Sequence, residues 1–173
     1  MSPQLCFFVS IAFALLGWWI VAKRVFWPRL RLLPMTEALQ PILVLHSFRF
    51  IGLAFLVPGV VSPDLPATFA NAAAYGDLGA AILALLTLAA LPSRTGVVMA
   101  WIFNVWGTVD LFDAFYRANA SGLTPGELGV TYFIPTLIVP LLLITHGLSF
   151  RILFKSSESS LPAGRREIDA TPL

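Results

Sequence analysis

The stretch "HSFRFIGLAFLVPGVVSPDLPATFANAAAYGDLGAAILALL", residues 46–86, contains two long apolar segments that are interrupted by charged side chains. Segments of this length are typical of helices that cross a membrane, which need about 20 mostly apolar residues. His46, Arg49 and Asp77 nevertheless lie inside them. Because a charge is costly in a bilayer, such side chains usually face protein or water and have a structural or functional role.

The composition of the whole chain also indicates a membrane protein. Of the 173 residues, 58% are hydrophobic and only 12% are charged, and the mean hydropathy is +0.84. A soluble domain of this size could not bury so much apolar surface. The basic residues occur in short groups beside apolar segments, where they determine topology, so we predict no nucleic-acid partner.

Five segments are long and apolar enough to cross a bilayer, namely residues 5–26, 38–61, 67–91, 96–117 and 128–153. The predicted fold is therefore all-α, a polytopic bundle of five transmembrane helices within residues 1–154. Residues 155–173 are polar and rich in serine, which predicts a disordered cytoplasmic tail.

The N-terminal segment has neither a basic start nor a small-residue cleavage site, so we interpret it as a retained helix. The connections that follow the first and third segments, and the tail after the fifth, carry most of the basic residues: Lys23, Arg24, Arg29, Arg31, Arg94, Arg151, Lys155, Arg165 and Arg166. Because cytoplasmic loops are enriched in Lys and Arg, this pattern predicts that the N-terminus faces outward and the C-terminus faces the cytoplasm.

Three charged residues lie at similar depth in three different helices. With a rise of about 1.5 Å per residue, Arg49, Asp77 and Asp110 all fall in the middle-to-outer part of helices two, three and four. One interpretation is a buried ion cluster that locks the three helices together. The other is a water-accessible cavity that binds a small anion, a proton or a polar substrate from the outer face. Asp113 and Asn104, which are also on helix four, belong to the same predicted polar cluster.

Asp113 lies three residues after Asp110, so the two carboxylates share a face of helix four. If both are buried, they could carry a proton or hold a cation through hard oxygen ligands. The alternative is that Asp113 is hydrated near the outer boundary and pairs with Arg117 at the i+4 position.

His46 and His146 form another pair at equal depth, one on helix two and one on helix five. Two neutral imidazoles from facing helices could bind a b-type haem axially. The alternative is that each histidine forms a hydrogen bond within the bundle, for which Asn104 and Thr145 are available. Zinc is less favoured because a third ligand is missing, and we predict no metal site.

Helix three has a row of small residues at Ala72, Gly76 and Ala80, which allows another helix to approach closely. Asp77 lies beside this row, which is consistent with a contact to Arg49. The row is typical of packing in a homo-oligomer or against a partner in a membrane complex. On helix five, Pro135 and Pro140 predict a bend.

Helices two and three together resemble a family of small multipass bacterial inner-membrane proteins of uncharacterised function. The resemblance lies in an arginine-bearing helix, an "LP..FA" turn and a "GD" helix, at Arg49, Leu65, Pro66, Phe69, Ala70, Gly76 and Asp77. It covers about a quarter of the chain. The resemblance implies a helical bundle in the bacterial inner membrane and no particular activity.

Three classes of function follow from these features. The leading hypothesis is a small-ligand or ion binding or transport protein that uses the polar cluster. The alternatives are a haem-bearing redox protein and a structural or accessory subunit of a membrane complex. The chain shows no Walker, nucleophile-elbow or zinc-protease motif, and no nucleophile, base and orienting residue occur together, so we identify no catalytic residue and the sequence weighs against an enzyme.

Overall fold

The computed structural model describes residues 1–159, and these residues form helices without any β-strand. The all-α fold is therefore confirmed for this part of the chain. Within residues 1–159, five helices are long and apolar enough to cross a membrane. We number them α1 (Pro3–Leu30), α2 (Met35–Leu56), α3 (Ala67–Ala90), α4 (Arg94–Ala120) and α5, which begins with a π-helical turn, Ile134–Ile138, and continues as the α-helix Val139–Ser159. A short 3₁₀-helix, Pro125–Tyr132, precedes α5. The disordered tail was predicted for residues 155–173, but residues 155–159 continue the helix α5, and the part from residue 160 onward lies outside the described residues.

Local sequence signals set several helix ends. Ser2 caps α1 by accepting a hydrogen bond from the Leu5 backbone N–H (3.2 Å). Ser93 caps α4 in the same way, by accepting a hydrogen bond from the Gly96 backbone N–H (3.1 Å). Helix α2 ends at Leu56, before the predicted residue 61, because the residue that precedes Pro58 adopts an extended conformation.

Helix α2 changes its winding in the middle. It is α-helical over Met35–Ser47 and becomes a 3₁₀-helix over Phe48–Leu56. A 3₁₀-helix has three residues per turn, so side chains three positions apart lie on one face. Arg49, Gly52 and Phe55 have this spacing, and all three are buried. The tighter winding therefore directs Arg49 into the bundle.

The π-helical turn at the start of α5 lies beside the two prolines that predicted a disturbance of this helix. Pro135 lies in the first turn of the π segment, and Pro140 follows it. Because Pro140 has no backbone N–H, the regular α-helical hydrogen bond to residue 136 is missing. The Thr136 hydroxyl donates to the Tyr132 carbonyl (2.7 Å) in this region.

Helix α3 packs against both α2 and α4, and α5 packs against α2 and α4. Helix α1 packs along α5, and none of the residues in its Pro3–Val21 part is buried. Two apolar clusters fill the bundle, one on each side of a polar layer. The first includes Leu39, Leu43, Phe103 and Leu153, and the second includes Phe55, Phe69, Leu111 and Leu128. The polar layer between these clusters is supplied by α2, α3, α4 and α5, and consists of His46, Arg49, Asp77, Asn104, Asp110 and His146.

Candidate functional site

Arg49 is the centre of the polar layer. Its Nε donates to Asp77 Oδ1 (2.7 Å), and its Nη2 lies 2.5 Å from Asp110 Oδ2. The Arg49 side chain is only 1% exposed. The structure therefore brings together the three charged residues that the sequence placed at one depth, and the guanidinium pairs with both carboxylates.

The third nitrogen of Arg49 faces α4 and α5. Arg49 Nη1 donates to the Gly107 carbonyl (3.3 Å) and lies 3.4 Å from His146 Nε2. A guanidinium can only donate, so His146 Nε2 is the acceptor and carries no proton. His146 Nδ1 is then the protonated nitrogen and donates to Asn104 Oδ1 (2.7 Å), while Asn104 Nδ2 donates to the His146 backbone carbonyl (3.3 Å). This hydrogen-bond pattern makes His146 neutral.

His46 lies beside this network. The Thr145 hydroxyl donates its single hydrogen to the carbonyl of Leu141 (2.9 Å) or Leu142 (3.0 Å), so it accepts from His46 Nε2 (2.9 Å). His46 is neutral as well, because a second ring proton, on Nδ1, would have no acceptor among the described residues. Its Nδ1 is buried and has no hydrogen-bond partner among the described residues.

The two histidine rings are in contact, with centroids 4.3 Å apart and ring planes tilted by 54°. Haem ligation needs an iron and a porphyrin plane between the two coordinating nitrogens, and this separation leaves no such slot. Both nitrogens of His146 are also engaged, by Arg49 and Asn104. The arrangement does not fit axial ligation, and we propose no haem. Among the described residues there is also no group of three His, Cys, Asp or Glu side chains that could hold a metal ion.

Three glycines make room for the charged side chains. A Cβ atom on Gly52 would lie 2.6 Å from Asp77 Cβ, and one on Gly76 would overlap the Asp110 carboxylate. A Cβ on Gly107 would lie 2.5 Å from His146 Nε2 and 2.8 Å from Arg49 Nη1. Helices α2, α3 and α4 each supply one glycine, so the polar layer depends on close approach of backbones at three points.

A cavity of about 220 Å³ begins at the two carboxylates. Asp77 and Asp110 line it at one end, while Gln4 and Asn119 line it near the ends of α1 and α4. From Asp110 to Asn119 the helix rises about 13 Å, which gives the approximate length of the cavity. Its walls are mainly apolar and include five phenylalanines: Phe7, Phe8, Phe55, Phe69 and Phe115.

The charges of the polar layer do not balance. One guanidinium faces two carboxylates, and both histidines are neutral, so the layer carries one net negative charge when both carboxylates are ionised. The side chains of Asp77 and Asp110 are 9% and 12% exposed, against 1% for Arg49. Arg49 therefore lies behind the carboxylates, and a molecule in the cavity meets carboxylate oxygens.

Asp113 does not join this cluster. It pairs with Arg117 (2.5 Å), one turn further along α4, and both side chains are more than one-third exposed. Of the two alternatives predicted for Asp113, the structure shows the pair with Arg117. The candidate site therefore consists of Arg49, Asp77 and Asp110, with Asn104 and His146 supporting the arginine from behind.

Sequence reasoning missed Gly52 and Gly107 as parts of the site. Both could have been found from their spacing, because Gly52 follows Arg49 by three residues and Gly107 precedes Asp110 by three. A glycine that lies about one turn from an intramembrane charge on the same helix indicates a place where a neighbouring helix approaches that charge.

Comparisons with known proteins match the bundle to a family without assigning it an activity. A family model described as "Domain of unknown function (DUF8737)" matches residues 6–154. The comparison with curated proteins gives no match, and neither does the comparison with solved structures.

Proposed function

The chain belongs to the DUF8737 family, and we propose that it is a multipass membrane protein that binds a small ligand with a cationic head and an apolar body. The observation that carries this proposal is the cavity that ends at Asp77 and Asp110, where two carboxylates share one guanidinium.

The outer surfaces of the helices support a membrane location. Large apolar side chains are exposed along every helix, including Phe13 and Trp19 on α1, Leu85 on α3 and Phe112 on α4. Soluble monomers rarely expose contiguous apolar surface on this scale. The proposed location is a bacterial inner membrane, as implied by the resemblance of helices two and three.

The distribution of charge supports the orientation with the N-terminus outward. Within residues 1–155, the end of the bundle that holds the α1–α2 and α3–α4 connections has one acidic residue, Glu37, and seven basic residues: Lys23, Arg24, Arg29, Arg31, Arg94, Arg151 and Lys155. The opposite end holds three acidic side chains, Asp64, Asp113 and Glu127, and one basic side chain, Arg117. In this orientation the cavity lies toward the outer face.

The lining of the cavity supports the ligand class. A cation or a strong hydrogen-bond donor would compensate the excess negative charge at Asp77 and Asp110, whereas an anion would be repelled by the carboxylates that cover Arg49. The phenylalanine walls favour an apolar body and add cation–π attraction for a charged amine. An apolar cavity of about 150 Å³ is sufficient to bind benzene, so this cavity accommodates a molecule the size of a small aryl amine.

The cavity lies on one side of the polar layer, because its apolar lining includes Phe55, Phe69, Leu111 and Leu128 of the second apolar cluster. On the other side of the polar layer, Leu39, Leu43, Phe103 and Leu153 pack into a continuous apolar core. A ligand at Asp110 would therefore have this packed core on its other side, which favours binding from the proposed outer face.

The test is a titration of the purified protein in detergent with 2-phenylethylamine, followed by calorimetry. We expect saturable binding to the native protein. Asp110→Asn keeps the size of the side chain but removes the charge, and should weaken binding about tenfold or more, because a charge-assisted hydrogen bond contributes about 1.5–3 kcal/mol.

Asp113→Asn is the matched control, because it makes the same chemical change on the same helix outside the cavity. It should leave the affinity unchanged. Equal affinity in the native protein and Asp110→Asn, with both monodisperse by gel filtration, would contradict the proposal.

A further inference from the structure

A second candidate site lies at the opposite end of the bundle from the cavity. The last turn of α1 and the end of α5 meet there and form a surface pocket lined by Trp27, Arg31, Arg151, Phe154 and Lys155. This pocket shares no residue with the polar layer. In the proposed orientation it lies at the cytoplasmic boundary of the membrane.

Three basic side chains, those of Arg31, Arg151 and Lys155, line this pocket. Within residues 1–155, no carboxylate lies within ion-pair distance of Arg31, Arg151 or Lys155. All three residues are exposed. Their positive charges are therefore available to an anion from outside the chain.

Contacts within the pocket hold two of these side chains in place. The Arg151 guanidinium lies over the Trp27 ring, 3.9 Å from its centroid. Lys155 Nζ donates to the backbone carbonyl of Arg31 (3.3 Å) and so bridges α5 to the end of α1. Stacking on an aromatic ring leaves the edge of a guanidinium free, and this edge offers paired N–H donors that match phosphate oxygens.

The surroundings of the pocket are those of a lipid headgroup site. Trp and Phe side chains are typical of the boundary between headgroups and acyl chains, and Phe154 is 57% exposed. The apolar surface of α1 continues from the pocket toward the middle of the bundle, with Phe26 and Ile20 exposed. A phospholipid whose phosphate is bound by the arginines would therefore place its acyl chains along α1.

We propose that this pocket binds the phosphate of an anionic phospholipid in the cytoplasmic leaflet. Basic pockets between transmembrane helices on this side of a membrane bind anionic headgroups, and each Lys or Arg near the surface contributes about 1 kcal/mol. The inference rests on the membrane location in the proposed function, but it is independent of the ligand and residues of the cavity.

Native mass spectrometry of the detergent-purified, delipidated protein tests the proposal. We expect phosphatidylglycerol to bind as one tightly held copy, about tenfold or more tighter than phosphatidylcholine. The double variant Arg31→Gln/Arg151→Gln should lose this preference. Lys23→Gln/Arg24→Gln removes the same charge from neighbouring exposed positions of α1 outside the pocket and should retain it.

Three results would overturn the proposal. Equal binding of the two lipids would show that the headgroup is not recognised. An equal loss in both double variants would show that diffuse charge, and not the pocket, attracts the lipid. Displacement of the lipid by millimolar inorganic phosphate would identify a site for a free anion. Titration of the same preparations with 2-phenylethylamine shows separately whether the cavity binds its ligand. A failure of the lipid proposal can therefore be distinguished from a failure of the proposed function.

Discussion

Gly76 on α3 is the position where a single added methyl group should disturb the polar layer most. A Cβ atom at Gly76 would overlap Asp110 Oδ1 and lie 2.6 Å from Asp110 Cγ. Asp110 is held by Arg49 and cannot move aside without weakening that ion pair. We therefore expect Gly76→Ala to destabilise the protein, although alanine is the better helix former.

The size of the effect follows from two opposing contributions. Breaking one partner away from a buried ion pair costs about 3–5 kcal/mol. The lower end applies here, because Arg49 keeps Asp77 and the displaced Asp110 can turn toward the cavity. Replacing glycine by alanine within a helix returns about 1 kcal/mol. The expected net loss in the free energy of unfolding is therefore about 2 kcal/mol.

Gly79→Ala is the matched control on the same helix. A Cβ atom there would lie 3.4 Å from Trp106 Nε1, which is an ordinary contact, so this variant should be unchanged or more stable by up to about 1 kcal/mol. Unfolding in sodium dodecyl sulfate, followed by circular dichroism, measures both. In an Asp110→Ala background the cost of Gly76→Ala should disappear, because the overlapping atoms are gone.

Equal stability of Gly76→Ala and Gly79→Ala would refute the packing of Asp110 against α3. A cost of Gly76→Ala that persists in the Asp110→Ala background would also refute it, because the clash would then involve a different group.

Two further predictions concern the residues behind the carboxylates. Arg49→Gln should lower the free energy of unfolding by about 3–5 kcal/mol, because it leaves Asp77 and Asp110 buried beside one another without a cation. The control is Asp113→Asn, which breaks an exposed ion pair. A loss in Arg49→Gln that is no larger than the loss in this control would contradict the central role of Arg49. Protein purified from haem-replete cells should show no Soret band before or after dithionite, because the rings of His46 and His146 are in contact, with centroids 4.3 Å apart. A band that disappears in His146→Ala would reverse this conclusion.

Much of the architecture could be predicted from segment length and depth. The apolar segments locate the five long helices, because the length of a spanning segment is set by the thickness of a bilayer. The common depth of Arg49, Asp77 and Asp110 predicts that they meet, because depth depends only on the distance along each helix. The rotation of a helix about its axis depends on packing, so the sequence did not decide between the two carboxylates as partners of Arg49.

The winding of α2 is the feature that sequence reasoning could not supply. An α-helix from residue 38 to residue 61 would place Arg49, Gly52 and Phe55 along a drifting stripe, whereas the 3₁₀-helix over Phe48–Leu56 aligns them on one face. For Asp113 the sequence offered two alternatives, and the structure shows the i+4 pair with Arg117 and not a place in the polar layer. The exposure of both side chains depends on how α4 packs, which the spacing along the helix does not decide.

A comparison of probes of different charge is the most direct test of the claim that the cavity binds a cationic ligand at Asp77 and Asp110. Three aromatic probes of nearly the same shape, 2-phenylethylamine, phenylacetate and propylbenzene, differ mainly in carrying a positive, a negative or no charge at neutral pH. Calorimetric titration of the native protein should give the tightest binding for the amine, weaker binding for the neutral probe and no detectable binding for the carboxylate. Tighter binding of phenylacetate than of the amine would show that Arg49, and not Asp77 and Asp110, faces the ligand, and would contradict the account.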